Sequence, residues 1–183
     1  VIDIADTHTV ASAADLIRLA AEGDHSAFAT IVRRHHPELV RVGFVISGNA
    51  DTADQAAAAT WVICWRQLRG LRDPDRLRSW LCAITANEAR QLVRKQRRRS
   101  VVEIPVENMV THVSGDPAAR PGDLDLANAL ARLSVEDRAL VALRYVCGFN
   151  STELGRAMGM SASGTRARLA RLLDRLRKEL GDE

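Results

Sequence analysis

Leu133-Ser134-Val135-Glu136-Asp137-Arg138-Ala139-Leu140-Val141-Ala142-Leu143-Arg144-Tyr145 is the stretch that decides the fold. Ser134, with Asp137 three positions on, predicts a capped helix reaching about Val146, and Gly148 ends it. Asn150 with Glu153 offers a second cap for a short helix through Ala157 and Met158. Gly159 then turns the chain, and Ser161 opens a third helix whose Leu169, Leu172, Leu173, Leu176 and Leu180 form one apolar stripe. Short helix, turn and arginine-studded helix make a helix-turn-helix, whose second helix can lie in a DNA major groove. At about 100° per residue, Arg171 and Lys178 point away from the stripe while Arg166 and Arg168 flank it. Ser163, Gly164 and Ala167 leave room for close approach to DNA.

Upstream, residues 12–99 also read as helices. Ser12 with Asp15 marks a first start and Gly23-Asp24 a second, and Pro37 is expected to break or kink that second helix after His36. A third helix runs from about Asp51 to Leu68 with Trp61, Val62 and Trp65 at helical spacing. After the polar loop around Asp73-Pro74-Asp75, a fourth runs to about Arg98 and ends in the basic run Arg94-Lys95-Gln96-Arg97-Arg98-Arg99. The pattern fails over residues 100–122, where Pro105, Pro117 and Pro121 fall among Gly115 and acidic side chains, so a flexible linker is expected. Fully extended it would reach roughly 70 Å at about 3.3 Å per residue. The expected fold is all-α, with two small helical domains, 12–99 and 123–183, joined by that linker.

The 183 residues suffice for one ordinary domain or two small ones, and a 46% hydrophobic content supports packed cores. The formal net charge is only +3, so any field for phosphates must come from clustering. Cys64, Cys82 and Cys147 are odd in number, widely spaced and without a Cys-x-x-Cys pair. They read as buried small hydrophobes in a reducing cytosol, not as a disulfide framework or zinc ribbon. Val1 to Ala13 carries Asp3 and Asp6 and no long apolar core, so neither a signal peptide nor a membrane span is expected there. His8, His25, His35, His36 and His112 form no metal-ligand spacing, and no nucleophile triad or phosphate-cradling glycine loop occurs. No cofactor, no metal and no enzymatic chemistry are expected.

Asp15-Leu16-Ile17-Arg18 through Ala27-Phe28, the Trp61–Trp65 segment, Ser79-Trp80-Leu81-Cys82-Ala83-Ile84-Thr85-Ala86-Asn87, Leu133 to Arg138, Gly159-Met160-Ser161 and Arg166-Ala167-Arg168-Leu169 together resemble the extracytoplasmic-function class of bacterial sigma factors. The resemblance runs from about Asp15 to Leu180. It implies an alternative sigma factor in the cytoplasm, whose partners are core RNA polymerase, promoter DNA and an inhibitory anti-sigma protein, with no membrane insertion. The first domain would hold the polymerase and open the minus-ten element. The second would read the minus-thirty-five element as duplex.

Residue by residue, the resemblance assigns Arg76, Arg78, Trp80, Asn87, Arg90, Arg94 and Lys95 to single-stranded minus-ten DNA. Basic side chains there would neutralise phosphates and an aromatic ring could stack a base. Trp61 and Trp65 read instead as core. Ser161, Ser163, Arg166, Arg168 and Arg171 are assigned to the duplex, the serines at the helix N-terminus and the arginines at bases or phosphates. Asp51, Asp54, Gln55 and Ala58 are assigned to the polymerase. There the sequence departs from the family, which usually reads Glu-Asp-Leu-Val-Gln-Glu where this chain has Asp54-Gln55-Ala56-Ala57-Ala58-Ala59. Methyls replacing charged and amide groups would weaken polymerase binding. That departure motivates a second reading, a sigma-like protein that titrates an anti-sigma factor. A duplex-binding repressor using only the last helix would leave the basic fourth helix without a role.

Overall fold

The computed structural model describes residues 12–102 and 121–181, with side chains from 12–99 and 125–181. The N-terminal expectation, His8, His112 and most of the linker lie outside the described residues. Among those described there are only helices: α1 Ala13–Glu22, α2 His25–Ser47, α3 Ala50–Gln67, α4 Leu77–Val102, α5 Pro121–Ala131, α6 Val135–Val141, α7 Ser151–Met158 and α8 Ala162–Leu180. Single 3-10 turns at Leu68–Gly70 and Pro74–Arg76 link α3 to α4, and α6 widens into a π turn over Ala142–Val146. Helix α4 runs past the expected end at Arg98, and α5 begins inside the stretch read as linker.

Each start is made by a side chain that satisfies amides left free at a helix N-terminus. Ser12 Oγ accepts from the Asp15 amide at 3.1 Å, and Asp24 accepts from the amides of Ser26 and Ala27 at 2.7 and 3.0 Å. Ser134 and Ser161 do the same for α6 and α8, while Asn150 and Glu153 close a reciprocal capping box on α7. Gly23 at φ 106° and Gly159 at φ 68° take the left-handed conformation that reverses the chain between helices.

Pro37 does not break α2. Pro37 and Arg33 are both exposed, so the carbonyl that loses its amide donor stays in contact with water, while the other faces of α2 pack on α1, α3 and α4. Tertiary burial of Ile31, Leu39, Val42 and Ile46 outweighs the local defect. Helix α3 comes close to α2 because its inner face is small: Ala53, Ala56, Ala57, Thr60 and Cys64 are fully buried. Gly43 completes this fit, since a Cβ there would lie 2.9 Å from the Ala53 Cα. Thr60 and Thr85 share a buried hydroxyl bond of 2.9 Å between α3 and α4.

The second domain packs directly on the first. Val135, Ala139, Leu140, Leu143, Cys147 and Phe149 join the core of α1–α4, while a smaller cluster of Ala129, Leu133, Leu172 and Leu176 fastens α5 to α8. Arg138, only 7% exposed, donates from Nε to the Ile46 carbonyl at 2.6 Å across the domain boundary. All three cysteines are free and buried, and burial pushes the Cys64 thiol up to about 12. Among the described residues no helix is long and apolar enough to cross a membrane.

Candidate nucleic-acid interface

The loop between α3 and α4 borders an open cavity of about 640 Å³, lined by Gln67, Leu71, Arg72, Asp73, Arg76 and Trp80. Arg69 Nε pins this loop to α1 through the Ala21 carbonyl at 2.8 Å, and Asp73 accepts from the Asp75 amide and from Arg76 Nε at 3.1 Å each. The loop is therefore held by bonds while its mouth stays open. The cavity lies within the roughly 300–1,000 Å³ of ordinary small-molecule sites, ample for one nucleobase. Half-buried Trp80 offers it an aromatic wall and Arg72 and Arg76 offer it positive charge.

The polar and basic side chains assigned to this face from the sequence divide into two groups. Arg76 lines the cavity, and Asn87 and Lys95 stand exposed on α4. Arg78 is turned toward the second domain instead. Its guanidinium grips both carboxylate oxygens of Glu38 and donates to the carbonyls of Cys147 at 2.7 Å and Val146 at 3.1 Å. Arg90, 15% exposed, and Arg94 both pair with Glu136 of α6, at 2.6 and 2.5 Å. The reason is the packing of the domains: α6 lies across α4 and its first turn delivers an acid between the two cations.

Burial opposes ionisation of Glu136, but hydrogen bonds and charge from Arg90 and Arg94 outweigh it and hold the carboxyl below the usual glutamate range. A depressed acid stabilises the paired arrangement above its ordinary pKa, and that contribution is lost as pH falls through the depressed value. Glu136→Gln is expected to release the two arginines and tighten binding of a single-stranded oligonucleotide about 3–5-fold at neutral pH, an ion-pair-sized effect. The gain should shrink only as pH falls through the depressed Glu136 value, below the usual glutamate range, where the parent also loses the pair. Unchanged affinity in a filter-binding titration would show that these arginines are reached equally well in both proteins.

The duplex face is built on α8. Ser161 Oγ caps it by accepting from the Gly164 amide at 3.0 Å, and Ser161, Ser163, Arg166, Ala167 and Arg171 are exposed along one side. Arg168 departs from the expectation of an outward contact: its Nε binds Asp137 Oδ1 at 2.8 Å and a third of its side chain is exposed. It ties α8 to the first turn of α6 and so sets the angle of the helix. Leu172 and Leu176 are buried, Leu169 and Leu173 half-buried, and Leu180, expected in the stripe, is 38% exposed.

Asp51, Asp54, Gln55 and Ala58 all lie on the exposed side of α3. Ala56 and Ala57, by contrast, face the core with no exposure, so their methyls replace no surface charge. Only Ala58 and half-buried Ala59 bear on the outer face. That face continues through Val62, 50% exposed, and Trp65, 38% exposed, which the sequence reading placed in the core or passed over. Trp65 stacks on His25 with ring centres 4.9 Å apart and meets the edge of Phe28, while Trp61 turns inward and donates Nε1–H to His36 at 3.1 Å. The spacing of Asp54, Ala58, Val62 and Trp65 is that of one helical stripe, a signal legible in the sequence once the opposite face is known to be small residues.

Comparison with known proteins matches residues 31–99 to the Sigma-70 region 2 family and residues 123–176 to the Sigma-70, region 4 family. The ECF RNA polymerase sigma factor SigM of Mycobacterium tuberculosis is 30% identical over 170 residues, 93% of this chain and 85% of that protein. The RNA polymerase sigma factor CarQ of Myxococcus xanthus is 31% identical over 168 residues, 88% of this chain and 93% of that protein. The fold is shared with the sigma factor RpoE bound to the anti-sigma factor NepR from Bartonella quintana, at TM-score 0.71 and 22% identity, covering 85% of this chain and 98% of that one.

Proposed function

The chain belongs to the extracytoplasmic-function group of the sigma-70 family, an alternative RNA polymerase sigma factor, and from that footing we propose how its parts share the work. Residues 12–99 bind core polymerase through the outer stripe of α3 and take unpaired minus-ten bases at the α3–α4 loop. Residues 123–183 read the minus-thirty-five element as duplex through α8. The observation that carries this division is the presence of two chemically different basic surfaces. One is an open cavity walled by Trp80, Arg72 and Arg76, suited to a flipped base. The other is a capped helix with exposed Arg166 and Arg171 and small residues between, suited to a groove.

In this reading Asp51, Asp54 and Gln55 supply polar contacts to polymerase and Val62 with Trp65 an apolar one. The alternative, titration of an anti-sigma factor without polymerase binding, loses much of its motive because Ala56 and Ala57 belong to the core. An inhibitor remains part of the proposal. A relative of this fold is bound by an anti-sigma factor, and a chain whose own Glu136 occupies Arg90 and Arg94 offers an inhibitor a closed form to hold. The protein performs no reaction of its own and acts in the cytoplasm, where core polymerase binds its specificity subunits.

Transcription from a pool of genomic promoters, with purified core polymerase and this chain as the only specificity subunit, is the test. Defined transcripts are expected. Arg166→Ala with Arg171→Ala should lower minus-thirty-five duplex binding about 30-fold or more, at roughly 1–3 kcal/mol for each of the two contacts, while Arg168→Ala should act through helix placement and reduce domain stability as well. No transcript from any promoter would overturn the sigma assignment of function, and unchanged duplex binding in the double variant would remove α8 from it.

A further inference from the structure

Two of the three cysteines meet across the domain boundary. Cys82 stands on α4 of the first domain and Cys147 follows the π turn of the second; both are buried. Beside them lies Glu38 of α2, and the two sulfurs and a carboxylate oxygen fall within 4.8 Å of one another. We propose that Glu38, Cys82 and Cys147 form a zinc site that bridges the two domains and locks them in the closed arrangement.

Two thiolates and one carboxylate suit a borderline-soft divalent ion and not magnesium or calcium, which require oxygen donors. Zinc–sulfur bonds near 2.3 Å and zinc–oxygen bonds near 2.1 Å place tetrahedral donors roughly 3.6–3.8 Å apart. The observed spread needs side-chain adjustments of about 1 Å at most to reach that geometry.

Zinc with two thiolates and a carboxylate carries one net negative charge, and the Arg78 guanidinium, already on Glu38, cancels it. Arg78 also donates to the carbonyls of Cys147 and Val146, so one side chain orients a carboxylate ligand and the backbone that carries a thiol ligand. Such outer-shell hydrogen bonding is what metal-ligating carboxylates use. The Glu38 side chain keeps 20% exposure and that of Arg78 48%, which opens a path on one side and room for a water as fourth ligand.

Binding would release the two thiol protons to solvent while two zinc–sulfur bonds and one zinc–oxygen bond form. Because the ligands come from both domains, the metal favours the form in which Glu136 holds Arg90 and Arg94. On the proposed function, zinc would therefore lower occupancy of single-stranded promoter DNA. The metal site is the same whichever promoter the protein serves.

The full chain, reduced and freed of metal by chelator, is titrated with cobalt(II) alone and then with zinc(II). One equivalent of cobalt should give near-ultraviolet thiolate-to-metal absorption and the visible bands of a tetrahedral ion, and zinc should displace both and release about two protons. Cys82→Ser and Cys147→Ser should each weaken uptake more than about 100-fold, and Glu38→Gln roughly 10–100-fold. Cys64→Ser, in α3 away from the cluster, should leave it unchanged. Circular dichroism establishes that each variant is folded, and Glu38→Gln changes a partly exposed group, so it tests the site without emptying the core. Absence of stoichiometric uptake by the folded parent, or uptake that survives Cys147→Ser, overturns the proposal. So does a Cys82–Cys147 disulfide formed by peroxide in a protein that takes up no metal.

Discussion

Gly155→Ala is expected to weaken minus-thirty-five duplex binding strongly while leaving the first domain intact. Gly155 lies buried in α7, and a Cβ built on it would sit 2.6 Å from the Met160 carbonyl oxygen and 3.4 Å from the Ala162 nitrogen. Both obstacles are backbone, so no side chain can swing aside. The Gly155 carbonyl also accepts from the Met160 amide at 2.8 Å, which closes the turn into α8. Relief of the contact must push that turn outward and rotate α8 off its Leu172–Leu176 seating. Overpacking of this kind costs about 1–3 kcal/mol, against which the better helix propensity of alanine returns less than about 1. A destabilisation of about 1–2 kcal/mol in denaturant unfolding is expected, with a fall of more than about 10-fold in duplex affinity. Single-strand binding at the Trp80 cavity should persist. A variant that binds duplex as the parent does would mean that α8 does not depend on this close approach.

Arg138→Met is expected to be the most damaging substitution at the domain boundary. The guanidinium donates to Ile46 at 2.6 Å and to the carbonyls of Ala131 and Leu133 at 3.3 Å each. Ile46 lies in the last turn of α2, so a cation meets the negative end of that helix, and a second group of carbonyls at the end of α5 shares it. Burial lowers the arginine's pKa, with Arg97 adding to the effect, which marks the cost of placing a cation there. Methionine keeps much of the aliphatic volume but leaves three acceptors without a donor. Hydrogen bonds to charged groups contribute about 1.5–3 kcal/mol and unsatisfied buried acceptors cost about as much, so a loss of about 2–4 kcal/mol is expected. The domains should also separate more readily, which calorimetry and hydrogen exchange at the Ile46 turn would both record. An unchanged melting temperature would mean that water reaches these carbonyls at no cost.

How legible the protein was in its sequence depends on the distance between partners. Ser134, Asn150 and Ser161 each bond an amide two or three residues away, so caps and helix starts could be read position by position. The α8 leucine stripe as far as Leu176 and the exposure of Arg171 followed from period alone, whereas Leu180 is exposed. Pro37 misled because propensity describes a helix by itself, and α2 is stabilised from three sides. The alanine run misled because a one-residue difference in helical position separates core Ala57 from surface Ala58. Gly43 and Gly155 carried no local sign at all, for what makes them necessary is another helix's backbone.

Local hydrogen bonding and hydrophobic period thus determined seven of the eight described helices, most of their starts, and two separate basic surfaces, but not α5 or the continuation of α2 past Pro37. Tertiary structure alone decided which cations stay available to DNA. Arg78 meets Glu38 across 40 positions, Arg94 meets Glu136 across 42, and Arg138 meets Ile46 across 92. A long charged side chain can reach several partners, and the choice among them is made by whichever acid or carbonyl the packing of distant helices brings within 3 Å or so. The same packing brought Cys82 to Cys147, a juxtaposition of two thiols that no spacing along the chain announces.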